Sequence, residues 1–261
     1  MNPRVACTVF AFIVVVVGTV PSANAQISDY PGTVPTGRTQ FEIDFAHTRD
    51  DNAGTRTDSF NASSILITHG LTARADIGLG FDGYYHDRYK TAGVTTTAHD
   101  WGDLTLRAKY SLWGHDNAEP APGDTAFALL PYVTFPLKAG DYGSDLVLGG
   151  LILPLAITLP HDWTLVIMTE FDAIPDTTDR HREFQWIESV VLDRPLSDKT
   201  SGYIEFYSLL PAERGLDWQA QVNLGFYYSF TTALCIDVGA NFGVTRSAPD
   251  LQTFAGLTYL Y

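Results

Sequence analysis

The chain has 261 residues, 45% of them hydrophobic and 13% aromatic, with 16 basic and 30 acidic side chains, a net charge of -14 and a mean hydropathy of zero. Two cysteines exclude a disulfide scaffold, and 15 Phe, 13 Tyr and 22 Gly among alternating apolar residues exclude a disordered acidic chain. With so few Lys and Arg and no basic run along the chain, nucleic acid is not an expected partner.

Arg4 precedes an apolar run from Val5 to Val20, and Pro21-Ser22 lead into Ala23-Asn24-Ala25. This pattern predicts a Sec signal peptide over residues 1–25, because the run is short of the ~20 residues of a spanning helix and ends in small residues. Cleavage there removes Arg4 and no acid, so the expected mature charge is -15, with Cys235 as the remaining thiol. Beyond it no stretch approaches 18 consecutive apolar residues. Barrel strands are still open to the chain, since they alternate lipid-facing and lumen-facing residues and average to neutral hydropathy.

After a segment over 26–38, expected to be periplasmic, period-two alternation predicts about twelve strands over 39–261. The first, Thr39 to Thr48, sets Phe41, Ile43 and Phe45 against Gln40, Glu42 and Asp44. The second covers about Asn61 to Gly70, and the third sets Ala75, Ile77, Leu79 and Phe81 against Asp76, Gly78, Gly80 and Asp82. The fourth, Gly102 to Trp113, carries Arg107 and Lys109 on its polar face. The fifth (126–137) and sixth (146–159) are more uniformly apolar and hold Pro131, Pro136 and Pro154, so alternation does not fix their facing. The seventh to ninth are expected over 163–172, 184–192 and 202–210. The last three alternate most clearly: Trp218 to Phe226 against Gln219 to Tyr227, Leu234 to Phe242 against Cys235 to Gly243, and Ala255 to Tyr261 at the end.

Long polar connections (49–59, 87–100, 173–182, 245–250) mostly alternate with short turns (71–74, 160–162, 197–200, 229–233), as external loops and periplasmic turns do. The connections 114–124 and 138–145 depart from that pattern. Trp101, Trp186 and Trp218 fall at one end of the strands and Trp113 and Trp163 at the other, and the twelve residues from Trp101 to Trp113 span roughly 30 Å at a tilt near 40°. The expected fold is therefore an all-β, antiparallel up-and-down transmembrane β-barrel in an outer membrane. A soluble periplasmic β-sandwich or lipocalin-like binder is the alternative.

The run Gly70 to Gly80, then Gly102 to Tyr110, Pro131 to Pro136, Asp237 to Gly243 and Phe254 to Tyr259, resembles the outer-membrane family of MetA-pathway phenol-degradation transporters. The resemblance covers most of the mature chain. It implies a porin-like barrel passing small, often aromatic or hydrophobic compounds, and it transfers no catalytic residues.

Alternation places Glu42, Asp44, Asp76, Asp82, Glu170, Glu205 and Asp237 inward together with Arg107 and Lys109. Seven acids against two bases predict a lumen favouring cations or neutral solutes, unless the charges close into salt bridges that fill the interior. Tyr84, Tyr203, Tyr207 and Tyr227 are also expected inward, as a path for aromatic solutes or as filling. Four His-Asp dipeptides, at 86, 99, 115 and 161, do not build a triad, because neighbours on a strand face opposite sides. No enzyme, cofactor or metal site is expected. Expected partners are outer-membrane lipid and lipopolysaccharide, the barrel-assembly machinery and a small-molecule solute, for a monomer.

Overall fold

The computed structural model describes residues 28–52, 54–115, 119–137, 147–175, 182–211 and 217–261; the expected signal peptide lies outside them. Among the described residues, fourteen strand segments form one antiparallel sheet: β1 Thr39–Asn52, β2 Thr55–Thr72, β3 Ala75–Phe81, β4 Tyr84–Thr91, β5 Val94–Trp101, β6 Leu104–Trp113, β7 Thr125–Phe135, β8 Leu148–Thr158, β9 Thr164–Pro175, β10 Arg182–Pro195, β11 Thr200–Leu210, β12 Gln219–Ser229, β13 Leu234–Gly243 and β14 Leu251–Leu260. β3 and β4 both pair with the 18-residue β2, and β6 and β5 pair with β3 and β4 in turn. These four segments are thus two long bent strands. The sheet has twelve staves and closes on itself through β1, which pairs with both β14 and β2. Closure excludes the sandwich alternative.

The outer wall is the apolar half of the alternation: Phe41, Phe45, Ile77, Leu79, Leu106, Phe206, Leu224, Phe226, Val238 and Leu257 are exposed. In water that surface would be costly; in lipid it is the solvated face. Aromatic pairs mark its two borders. Trp101 stacks on Phe81 and meets Tyr84 edge-on, and Trp186 stacks on Phe171, at one end; Trp113 stacks on Phe127 at the other. Their indole N–H groups find partners, Trp113 on Thr125 Oγ1 at 3.1 Å and Trp218 on Ser208 Oγ at 2.8 Å, as amphipathic rings at an interface require.

Two expected loops are strands. Residues 49–59 and 87–100 continue β1, β2, β4 and β5 beyond the Trp101 border, and Ala92 (φ 49°) and Gly93 (φ 84°) close the β4–β5 hairpin as a type I′ turn. The Thr95-Thr96-Thr97 run is polar, which suggests a loop, but threonine is β-branched and suits an edge strand.

A line of irregularities crosses the wall where these extensions begin. Ser63 has φ 63°, the β1–β2 register shifts between Asp44 and Phe45, and Gly83 has φ 82°. A Cβ at Gly83 would overlap the Ala62 carbonyl, so only glycine fits there. Gly102 N–H donates to Gly83 O at 2.8 Å, while Asp82 O accepts from Asn61 Nδ2 at 2.8 Å and from Ser64 Oγ at 2.9 Å. Such bulges bend a sheet and change which side of it the following residues face.

Candidate functional site

The inner wall gathers the polar half of the alternation. Glu42, Asp76, Asp82, Arg107, Lys109, Glu170, Glu205 and Asp237 are buried on it and Asp44 points the same way; Tyr203, Tyr207 and Tyr227 are buried there too. Tyr84 is not. The extra residue at Gly83 shifts the alternation by one, so Tyr84 joins Trp101 and His99 on the outer wall, with ring centroids 5.1 and 6.2 Å away. The inward position expected for Tyr84 is corrected accordingly. His86 and His99 face outward and Asp87 and Asp100 are buried, so these His-Asp neighbours lie on opposite sides of the wall.

The lumen contains a segment that the strand pattern did not announce. Residues 28–34, expected outside the barrel, enter it from the end where β1 begins. Gly37 N–H donates to Gly70 O at 2.8 Å and Gly70 N–H to Arg38 O at 3.0 Å, fixing the point of entry. A Cβ at Gly70 would overlap the carbonyls of Val34 and Pro35, so this glycine lets the chain pass. Val34 N–H then donates to Asp76 Oδ2 at 2.9 Å. Lys109 Nζ donates to the carbonyls of Tyr30 (2.8 Å) and Gly32 (3.2 Å). Asp29 reaches the centre: its Oδ1 lies 2.6 Å from Arg107 Nη2 and 3.6 Å from Lys109 Nζ, and all three side chains are buried. Asp29 N–H points at Met168 S, 3.3 Å away.

Beyond it, Ser28 bonds the opposite wall. Glu205 Oε1 accepts from Ser28 N at 2.9 Å and from Ser28 Oγ at 2.6 Å, Ser28 Oγ also meets Ser189 Oγ, and Asn223 Nδ2 donates to Glu205 Oε2 at 2.8 Å. A bridge therefore crosses the barrel from β6 to β11. The two inward bases, expected to face an acidic lumen, are occupied by a carboxylate from the chain's own leading segment.

Two other features line the interior. On β1, β13 and β14, Asp44, Gly256 and Asp237 share a row, and a Cβ at Gly256 would overlap Oδ1 of both carboxylates. Glycine there is what lets the two acids lie over one position. Across the barrel, Leu130, Tyr132, Ile152, Met168, Ile187, Tyr207 and Leu209 from β7 to β11 make a continuous apolar cluster. Alternation left the facing of β7 and β8 open. Burial settles it: Ala128, Leu130, Tyr132 and Thr134 on β7 and Leu148, Ile152 and Ala156 on β8 turn inward, every one at an even-numbered position. Among the described residues no group of three His, Cys, Asp or Glu side chains could hold a metal ion.

A closed twelve-stave barrel, apolar outside, lined inside by most of its buried charges and bridged by its own leading segment, defines an outer-membrane-type β-barrel. The chain belongs to the family described as "Putative MetA-pathway of phenol degradation", whose model matches residues 22–261. Among solved structures it is similar to the COG4313 outer membrane channel from Pseudomonas putida F1, with a TM-score of 0.71 and 15% identity over 90% of this chain and 98% of that one. It is less similar to the KdgM porin (TM-score 0.52, 10% identity, 84% and 98% covered) and the NanC porin (0.51, 10%, 83% and 98%). No curated protein matches the sequence. At these identities the structural likeness is one of fold.

Proposed function

We propose that the protein resides in the outer membrane, exported by a cleaved signal peptide, and acts there as a passive channel for small neutral or apolar solutes, aromatic compounds included. The observation that carries this reading is the apolar cluster on the inner side of β7 to β11, set beside a wall that mixes buried carboxylates with a second apolar group including Ala46, Val191, Tyr203, Tyr227 and Phe254. Leu130, Met168 and Ile187 are fully buried as the barrel stands, and Met168 lies against the leading segment at Asp29, so this apolar face is offered to apolar solutes once that segment moves away. The name of the similar Pseudomonas putida protein, an outer membrane channel, supports the class of activity.

The leading segment sets the condition for passage. With Asp29 seated on Arg107 and Lys109 and Ser28 on Glu205, the lumen is bridged, so passage requires that segment to shift. A closed, structural barrel is the competing reading, and the same bridge favours it. Liposome uptake separates them. Reconstituted protein should admit a small aromatic alcohol faster than a sugar of equal size, and deletion of residues 26–34 should raise both rates. Absence of any flux with the segment deleted would leave the barrel standing and remove the channel.

A further inference from the structure

The strand extensions beyond the Trp101 border sort their charges by face. Along β4, His86, Arg88 and Lys90 point outward while Asp87 is buried on the inner side; on β5, His99 points outward and Asp100 inward; on β1, His47 and Arg49 point outward. Registers bring these side chains into rows. Phe60 lies opposite His47 and His86, Asp58 opposite Arg49 and Arg88, and Arg56 opposite Asp51 and Lys90. One carboxylate organises the patch: Asp58 lies 3.3 Å from Arg49, 3.2 Å from Arg56, 3.8 Å from Arg88 and 3.7 Å from His47 Nε2. Four of the chain's 16 Lys and Arg thus stand on one outward face against Asp58 and Asp51, in a molecule whose net charge is -14. The arginines remain 40 to 57% exposed.

The height of the patch identifies what it meets. Tyr84 and Trp101 pair in register at the aromatic border. The His86 row is two residues beyond it and the Arg88 row four, which at ~3.4 Å per residue and a tilt near 40° is about 5 and 10 Å. The headgroup layer extends roughly 5–8 Å past the hydrocarbon on each side. The His86 row therefore stands in that layer, the Arg49 and Arg88 row just above it and the Arg56 row, two residues further, about 16 Å above the border, so the long arginine side chains reach down to the headgroups from over the exposed wall of Phe41, Phe45 and Ile77. Asp58 accepts from Arg49 and Arg56 at 3.3 and 3.2 Å and only approaches Arg88, at 3.8 Å, whereas every guanidinium carries five N–H donors in a fork that matches phosphate.

We propose that this face is a binding site for the phosphorylated glucosamine headgroup of lipopolysaccharide, with Arg49, Arg56 and Arg88 on the lipid A phosphates and the acyl chains along the apolar wall below. The site rests on the outer-membrane placement proposed above and not on transport. Here the protein's own side chains, with no bridging divalent cation, supply the positive charge.

The test uses full-length protein in neutral-detergent micelles doped with diphosphoryl lipid A, read by native mass spectrometry, with R49Q/R56Q/R88Q, with R88Q alone, and with R74Q at the opposite end of the barrel as control. Wild type and R74Q should retain lipid A. The triple variant should bind at least about 10-fold more weakly, R88Q should fall between, and dephosphorylated lipid A should bind all four alike and weakly. Unboiled gel mobility reports whether each variant is folded, and liposome flux without lipid A should be unchanged. Equal retention by folded triple variant and wild type, equal retention of dephosphorylated lipid A by wild type, or full displacement by millimolar inorganic phosphate would each overturn the proposal.

Discussion

Replacing Asp29 with asparagine removes one charge without changing shape, and the structure sets the size of the effect. Asp29 Oδ1 is 2.6 Å from Arg107 and 3.6 Å from Lys109, with all three side chains buried. At an effective dielectric of 20 those separations correspond to about 6 and 5 kcal/mol of attraction, most of which offsets desolvation. Breaking a buried pair by removing one partner costs about 3–5 kcal/mol. Asp76 pairs in register with Lys109 and supplies part of the missing counter-charge, which favours the lower end. About 3 kcal/mol multiplies the ratio of released to seated segment by roughly 150. The asparagine amide keeps an acceptor for Arg107, and the bonds from Ser28 to Glu205 and from Val34 to Asp76 remain, so the segment should loosen without the barrel unfolding. Bilayer recording should then show a rise of that order in open probability, and a thiol reagent should modify S28C/D29N much faster than S28C. Folded D29N with wild-type conductance and wild-type labelling would refute the argument that the ion pair holds the lumen shut.

Substituting Gly256 by Val places methyl groups on the Asp44 and Asp237 carboxylates; folded G256V should show lower cation preference in reversal-potential measurements, whereas unaltered selectivity would detach these acids from permeation. Gly83→Val forces a β-branched residue to φ 82° against the Ala62 carbonyl and should cost about 2–4 kcal/mol, seen as reduced refolding yield on unboiled gels. Burial pushes the Asp58 carboxyl up, but hydrogen bonds and charge from Arg56 and Arg49 outweigh it and hold the group below its ordinary value. A depressed carboxyl stabilises the fold above the unfolded value near ~4 and loses that contribution as pH falls through the lower folded value. Amide exchange in residues 55–60 and 84–91, corrected for intrinsic rates, should therefore accelerate below about pH 4; in D58N that extra acceleration should be absent.

Strand number, membrane borders and the facing of most strands were legible because each is a local consequence of period two: a lipid wall demands apolar residues at every second position, and Phe41, Leu79, Phe226 and Leu257 satisfy it whatever lies far away in sequence, whereas β7 and β8 are apolar on both faces and carry no such signal. Alternation failed where the backbone broke its own period. Gly83 adds one residue of phase, and every side chain from Tyr84 to Lys90 faces the side opposite to the one counted from Asp82. The basic outer face was hidden for the same reason, since residues 49–59 and 87–100 are polar on both faces and look like loops until pairing sorts them. The leading segment was hidden more deeply. Residues 28–34 have no periodicity, and their place is fixed by partners 40 to 177 positions away. Yet the sequence held one unresolved tension: two adjacent inward bases, Arg107 and Lys109, on a wall of acids. Lys109 pairs in register with Asp76, and Arg107 stands opposite Gly78, which has no side chain to answer it. A buried guanidinium facing a glycine needs a carboxylate from elsewhere, and Asp29 is the residue that supplies it.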